Sequence, residues 1–231
     1  MIARELMDID DSLKGIQISE IKKDIPFGFD NSKLLRNFDN FKISSKDFTL
    51  FYHKLSQYTD PKNLFKLRQT AEEIIIFKES LGRKITFEFL ISLNDKLTKS
   101  VGKLRKGELF LNSNRYNKLV KFPDPVISKR RLFEIVEYVD QNKIGLKEAI
   151  LVYVLILNSH AFTDGNGRLA RVIFNLLVCS TSSSYLPIYE IKEMSRGGYE
   201  IRLRKAEIFN DWQPLCNYFI NCIEFCEKYN H

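Results

Sequence analysis

Residues Leu146 to Ser159 read LKEAILVYVLILNS, a helical pattern that is apolar nearly all round. A helix without a polar face cannot lie on a surface and must be enclosed by other elements. Its longest apolar run, Ala149 to Leu157, is about half of the roughly 20 residues that a bilayer-spanning helix needs. The segment therefore reads as the central helix of a bundle, and the chain as all-α.

The flanking segments supply the shell. Apolar residues recur with a 3.6-residue period at Phe48, Phe51, Tyr52 and Leu55 behind Ser45 as N-cap, and at Leu67, Ala71, Ile74 and Ile75 before a stop at Gly82. Further helices are predicted over Thr86–Lys99, over Leu132, Ile135, Val136 and Val139 after Ser128, and over Leu169, Val172, Ile173, Leu176 and Leu177. The last two run near Ile191–Phe209 and from Asp211 into the tail. Residues 1–44 are weakly patterned. The interruption is Val101–Pro125, where Gly102, Gly107, Pro123, Pro125 and the run Glu108–Leu111 predict a turn and a short hairpin.

With 231 residues, 44% of them apolar and 28% charged, the chain can bury a core, which excludes a disordered or disulfide-stapled protein. The four cysteines, Cys179, Cys216, Cys222 and Cys226, include no C-x-x-C pair. Cys222 and Cys226 continue the stripe Leu215, Tyr218, Phe219 and Ile223, a core face rather than a zinc site. The N-terminus MIARELMDIDDSL lacks the apolar run of a cleaved signal, so a cytoplasmic, reducing setting is expected and membrane association is not; a secreted effector stays open. The net charge is +7, and the stretch Lys99–Arg131 alone carries ten basic and two acidic residues. That stretch reads either as a solvated basic surface or as a mobile segment receiving an acidic or phosphorylated partner.

One loop carries chemistry. Ser159-His-Ala-Phe-Thr-Asp-Gly-Asn-Gly-Arg168 joins the most apolar helix to the next. Glycines at 165 and 167 allow unusual backbone conformations and close ligand approach. The helix that follows offers unpaired N–H groups and a positive dipole end, which suits phosphate. Arg168 and Arg171 share one face of its first turn, opposite the inward stripe, within reach of a triphosphate. Asp164 offers a hard oxygen ligand for Mg²⁺, and His160 can take a proton from an incoming hydroxyl. Phe162 anchors the loop inward.

His160 to Arg171 resembles the Fic signature H-x-F-x-[D/E]-G-N-G-R-x-x-R at every fixed position. Gly102-Lys-Leu-Arg105 with Glu108–Leu111 is similar to the family's flap, Phe122-Pro-Asp-Pro125 to the stretch after it, and Tyr199 to Leu215 to its closing helices. The resemblance implies a Fic-type helical bundle with a short β-hairpin flap beside the active-site loop. It divides the chain into an N-terminal helical extension, 1–84, of regulatory character, and a catalytic domain, 85–231. It further implies a protein adenylyltransferase (AMPylation) that uses ATP as co-substrate and Mg²⁺, moves AMP to a Tyr, Thr or Ser hydroxyl of a target protein, and releases pyrophosphate. His160 would be the base and Asp164 the metal ligand. Gly165, Asn166, Gly167, Arg168 and Arg171 would bind the nucleotide with Tyr199, and Leu109, Phe110 and Leu111 would dock the target by strand addition.

The sequence departs from the family pattern in places. Ala161 stands where proline usually follows the histidine. Gly167 replaces the lysine of the related Doc kinases, which disfavours transfer of phosphate alone. Glu200 follows Tyr199 where paired aromatics are common, which leaves the base open. No run matches the inhibitory [S/T]-x-x-x-E-[G/N] helix. A brake would then come from a separate antitoxin or from residues 1–60, or be absent. The competing readings are a Fic-type transferase of another nucleotide or of phosphocholine and, below both, a basic helical nucleic-acid-binding module.

Overall fold

The computed structural model describes residues 6–8, 64–99, 103–113, 118–179, 185–189, 192, 198–209 and 211–228. The helix read at Phe48–Leu55 with its Ser45 cap, together with Gly102, Arg115, His53 and His231, lies outside the described residues. Seven helices are described: α1 (Leu64–Ser80), α2 (Phe87–Thr98), α3 (Pro125–Gln141), α4 (Leu146–Ser159), α5 (Asn166–Val178), α6 (Gly198–Phe209) and α7 (Gln213–Lys228). None is long and apolar enough to cross a membrane.

Their limits follow local chemistry. Thr86 caps α2 by accepting from the Phe89 N–H at 3.1 Å, and Lys99 closes it in the left-handed region. In α3 the Asp124 carboxylate accepts from the Val126 N–H at 2.8 Å and Pro125 takes the first position. The helix thus begins three residues before the predicted Ser128 start, because proline after a capping acid opens a helix rather than breaking one. The Gly145 N–H donates to the Glu148 carboxylate at 2.9 Å to begin α4.

From Leu146 to Ser159, α4 is enclosed as expected: Ala149 through Ile156 are all buried. It packs against α5, α3, α6 and α7, while α1 and α2 cover the other side of α5. Being covered on two sides, α5 buries Ala170, Phe174 and Asn175 besides Leu169, Val172 and Ile173, and leaves Leu176 and Leu177 only half-buried. In α7 the stripe Leu215, Tyr218, Phe219, Cys222 and Ile223 points inward as read. Cys179, Cys216 and Cys222 are buried, and burial pushes the Cys216 and Cys222 thiols up to about 12, which makes both inert.

The face of α1 differs from the expected one. Ala71 is exposed and Ile75 is 56% exposed; Glu73, Ile76, Phe77 and Ser80 turn inward. A buried glutamate sets this phase, and its partner lies in the site described below.

Between α2 and α3, β2 (Phe110–Ser113) pairs antiparallel with β3 (Lys118–Lys121), Phe110 opposite Lys121. A short strand β1 (Leu6–Asp8) adds in parallel to the other edge of β3, an element the sequence pattern did not suggest.

Phe162 is fully buried under the loop that leaves α4. Its replacement by alanine removes a ring from a filled core and should cost about 3–5 kcal/mol. For a chain of this size that lowers Tm by roughly 10 °C, readable by calorimetry; a shift under 2 °C would mean that the ring is not an anchor.

Candidate active site

The loop between α4 and α5 is held by three sets of contacts. His160 caps α4 in the left-handed region (φ 42°, ψ 46°), its N–H donating to the Ile156 carbonyl at 3.3 Å. Residues 103–105 then run antiparallel to 161–163: the Arg105 N–H donates to the Ala161 carbonyl at 2.8 Å and the Thr163 N–H to the Lys103 carbonyl at 3.1 Å. Finally Asn166 closes the turn. Its Oδ1 accepts from the Phe162 N–H at 3.0 Å, and its Nδ2 donates to the Phe162 carbonyl at 2.7 Å. The Asn166 side chain is therefore spent on the loop, and only its main chain remains for a ligand.

Gly165 is required twice. It holds φ 79°, and a Cβ there would lie 2.6 Å from Thr98 Cγ2 and 2.8 Å from Asn94 Nδ2. That Asn94 amide is buried and donates to the Asp164 carbonyl at 3.0 Å, so the end of α2 pins the turn. At Gly167 a Cβ would meet nothing closer than Arg171 Nη1 at 3.5 Å, so packing alone does not demand glycine. The first helical bond of α5 is Leu169 N–H to the Gly165 carbonyl, at 2.8 Å. The N–H groups of Asn166, Gly167 and Arg168 thus stand outside the ladder at the positive end of α5, where an anion is stabilised.

Asp164 is exposed. Its Oδ1 accepts from the Gly165 N–H at 2.6 Å and its Oδ2 from Arg168 Nη2 at 2.8 Å; Arg168 Nη1 also donates to the Leu97 carbonyl. Among the described residues no group of three or more His, Cys, Asp or Glu is placed to hold a metal. One exposed carboxylate beside an anion site does not make an all-protein cage, but it fits Mg²⁺, which takes one or two carboxylates and completes its shell with phosphate oxygens and water.

The His160 ring packs 4.4 Å from the buried Phe122 ring. Burial pushes His160 down to about 4; a hydrogen bond to the Leu157 backbone opposes this, the charges of Arg105 and Arg204 add to it, and Asp164 pulls the other way. The imidazole is therefore neutral at pH 7. With one nitrogen turned to the Leu157 carbonyl, the other has no hydrogen-bond partner among the described residues and can accept a proton.

Arg171 is buried rather than presented beside Arg168. Its Nε donates to Glu73 Oε2 at 3.0 Å and its Nη2 to Glu73 Oε1 at 2.6 Å, while the Tyr185 hydroxyl donates to Glu73 Oε2 at 2.8 Å. The guanidinium also lies 4.9 Å from the Tyr189 ring centroid. Burial alone would lower Arg171, but the Glu73 charge and hydrogen bonds hold it above the usual arginine range. Pattern matching missed Glu73 because Gln69 and Ile74 occupy the positions where the inhibitory run wants Ser/Thr and Gly/Asn. The signal that was present is an acid in step with Ile76, Phe77 and Ser80.

Tyr199 is buried between α4, α6 and α7: its hydroxyl lies 2.6 Å from that of Tyr153 and its ring 5.4 Å from Tyr218. Leu109 is half-buried against Phe122, Phe110 is 38% exposed with Lys121 Nζ 5.8 Å from its ring, and Leu111 pairs with Val120. The basic stretch is not one solvated face. Arg105 and Arg131 are buried, and Lys99 and Lys121 pair with Glu72 and Glu108.

Comparison with known proteins agrees with this geometry. Residues 84–178 match the Fic/DOC family. Over 123 residues the chain is 31% identical to the protein adenylyltransferase and cysteine protease IbpA of Histophilus somni (strain 2336), covering 52% of this chain but only 3% of that protein. Among solved structures, a Fic family protein from Desulfovibrio desulfuricans G20 superposes with a TM-score of 0.61 at 12% identity, covering 95% of this chain and 67% of that one. Fic-1 from C. elegans (residues 134–508) gives 0.55 at 15% identity, covering 96% and 68%. These identities speak for the fold alone. The matched residues 84–178 also contain the loop that carries every fixed residue of the signature, so this segment is similar to the Fic/DOC family in both sequence and fold.

Proposed function

We propose that the chain is a protein adenylyltransferase, moving AMP from ATP to a Tyr, Thr or Ser hydroxyl of a target protein. The observation that carries this reading is a neutral imidazole held beside a helix N-terminus whose amides are free for an anion. The adenylyltransferase named among its relatives supports the same cargo. The phosphates would lie on the amides of Asn166, Gly167 and Arg168. His160 would take the proton of the target hydroxyl as that oxygen bonds the α-phosphorus and the bond to the β-phosphate oxygen breaks, releasing pyrophosphate. Asp164 would hold Mg²⁺, whose charge would neutralise the phosphate oxygens. The exposed edge at Phe110 would align the target segment, with Leu109 and Leu111 setting its register. Tyr199 would serve the nucleotide as a packed wall, since its hydroxyl is committed to Tyr153.

In this reading Glu73 takes the place assigned to an antitoxin or to residues 1–60. While its two carboxylate oxygens accept from Nε and Nη2 of Arg171, that arginine would not be free to bind a phosphate. The extension 1–84 would then restrain the domain 85–231 through α1. The nucleic-acid reading loses ground because two of its basic residues are buried.

Three outcomes test the proposal. ATP labelled at the α-phosphate should leave label on protein in the presence of Mg²⁺, and His160→Ala should abolish it while circular dichroism stays native. Labelled GTP, CTP, UTP or CDP-choline outcompeting ATP would instead assign another cargo. Glu73→Gln should raise the labelling rate at least tenfold. It should also lower Tm without nucleotide by leaving Arg171 buried and unpaired, with ATP restoring part of the loss; an unchanged rate removes Glu73 as a brake. The pH profile follows from His160, which works only when deprotonated. With its proton affinity pushed down to about 4, kcat/KM for ATP should stay flat from pH 8 to about 5 and fall only below that. A half-point near the ordinary histidine value of about 6.5 would contradict the burial.

A further inference from the structure

The geometry points to Arg105 as the positioning residue that fixes the His160 backbone, and with it the imidazole, relative to the flap and the start of α3. This inference rests on the transferase reading only for its rate measurement.

His160 is one of two non-glycine residues in the left-handed region among those described, a conformation that costs about 1–3 kcal/mol and persists only where surroundings over-determine it. Ala161, which follows, brings no ring to restrict the chain. The restraint comes from residue 105. Its Nε donates to the His160 carbonyl at 3.1 Å and its main-chain N–H to the Ala161 carbonyl at 2.8 Å. Two successive peptide groups, the first belonging to the base, are thus held by one residue.

The rest of the guanidinium faces the other way. Nη1 donates to the Gly107 carbonyl at 2.6 Å, while Nη2 donates to the Pro123 carbonyl and to Ser128 Oγ, the latter at 3.0 Å. Gly107 lies at the root of the flap, and Pro123 and Ser128 flank the first turn of α3 next to Phe122, whose ring rests on His160. Loop, flap root and α3 therefore meet on one side chain.

The chemistry is costly to keep for packing alone. Arg105 is 7% exposed, and its described hydrogen-bond partners are neutral carbonyls and a hydroxyl. Burial pushes it down, with Asp124 opposing. A buried cation without a bonded carboxylate is a poor way to gain stability. A planar fork that reaches three elements is a good way to hold one orientation, and lysine cannot copy it.

The test uses the full chain with Arg105→Gln and Arg105→Lys. The first readout needs no turnover: the His160 imidazole resonances in ¹⁵N-histidine-labelled protein, assigned by their loss in His160→Ala. They should broaden or shift in both variants. The second compares ATP affinity with AMP transfer at saturating ATP. ATP binding should stay within twofold of wild type, because Arg105 does not touch the α5 amides. The rate should fall about a hundredfold in Arg105→Gln, the scale expected for a reacting group misplaced by about 1 Å, and less in Arg105→Lys. A wild-type rate, or affinity and rate falling in step, or unmoved His160 resonances, overturns the proposal. If Arg105→Gln does not fold, Arg105→Lys decides by the same criteria. If wild type itself transfers no AMP, the functional reading fails and the resonances alone decide the role of Arg105.

Discussion

The site depends on one constraint: the chain must leave a fully buried helix, turn, and enter a second buried helix within a few residues. Because α4 and α5 are both fixed by packing, the six residues between them have almost no freedom. That is why the turn uses a left-handed histidine, a left-handed glycine pinched by Asn94 and Thr98, and an asparagine whose amide replaces two main-chain bonds. The free amides at the head of α5 are a consequence of the same geometry. An anion site on a flexible loop would have to be ordered by its ligand; for an anion bound at these amides the cost would already be met in folding.

Charge is distributed around this turn in pairs that differ in burial. Asp164 and Arg168 meet at the surface, where water screens them and exchange for a cation and an anion is cheap. Arg171 and Glu73 meet in the interior, where a partner cannot be removed without replacement. A phosphate is the kind of replacement that suits a guanidinium fork, since it offers the same bidentate acceptor geometry as the carboxylate it would displace. In the proposed function the inner pair would be a stable holding state for an arginine that an anion could engage in place of Glu73.

Much of this was legible in the sequence, for reasons that particular residues make clear. The limits of α2 and α4 follow from Thr86, Lys99 and the apolar run itself, all local signals. The loop residues were legible because their spacing is fixed and contiguous. The inward face of α1 was not, since apolar periodicity counts Ile75 as core and Glu73 as surface, and the contact that reverses both spans 98 positions to Arg171. Arg105 failed in the same way. It was counted into a basic surface, whereas its partners include the carbonyl 55 positions away at His160. Sequence patterns place charges outside by default, so groups that are buried in order to position something are the ones they misplace.

The setting of His160 carries a last consequence. With the site free of ligand, burial and, to a lesser extent, the two nearby arginines favour the neutral imidazole, so a base at this position would be available but weak. A polyphosphate on the α5 amides would reverse the local field, because several negative charges would then face the ring where arginines dominated before. The proton affinity of His160 would rise from its depressed value while burial, the largest cause, persists, and in the proposed reaction a stronger base would exist once the group to be attacked had arrived. In the proposed transfer a base kept weak until then would be less exposed to protonation by solvent, which reconciles a buried, depressed histidine with such a role near neutral pH.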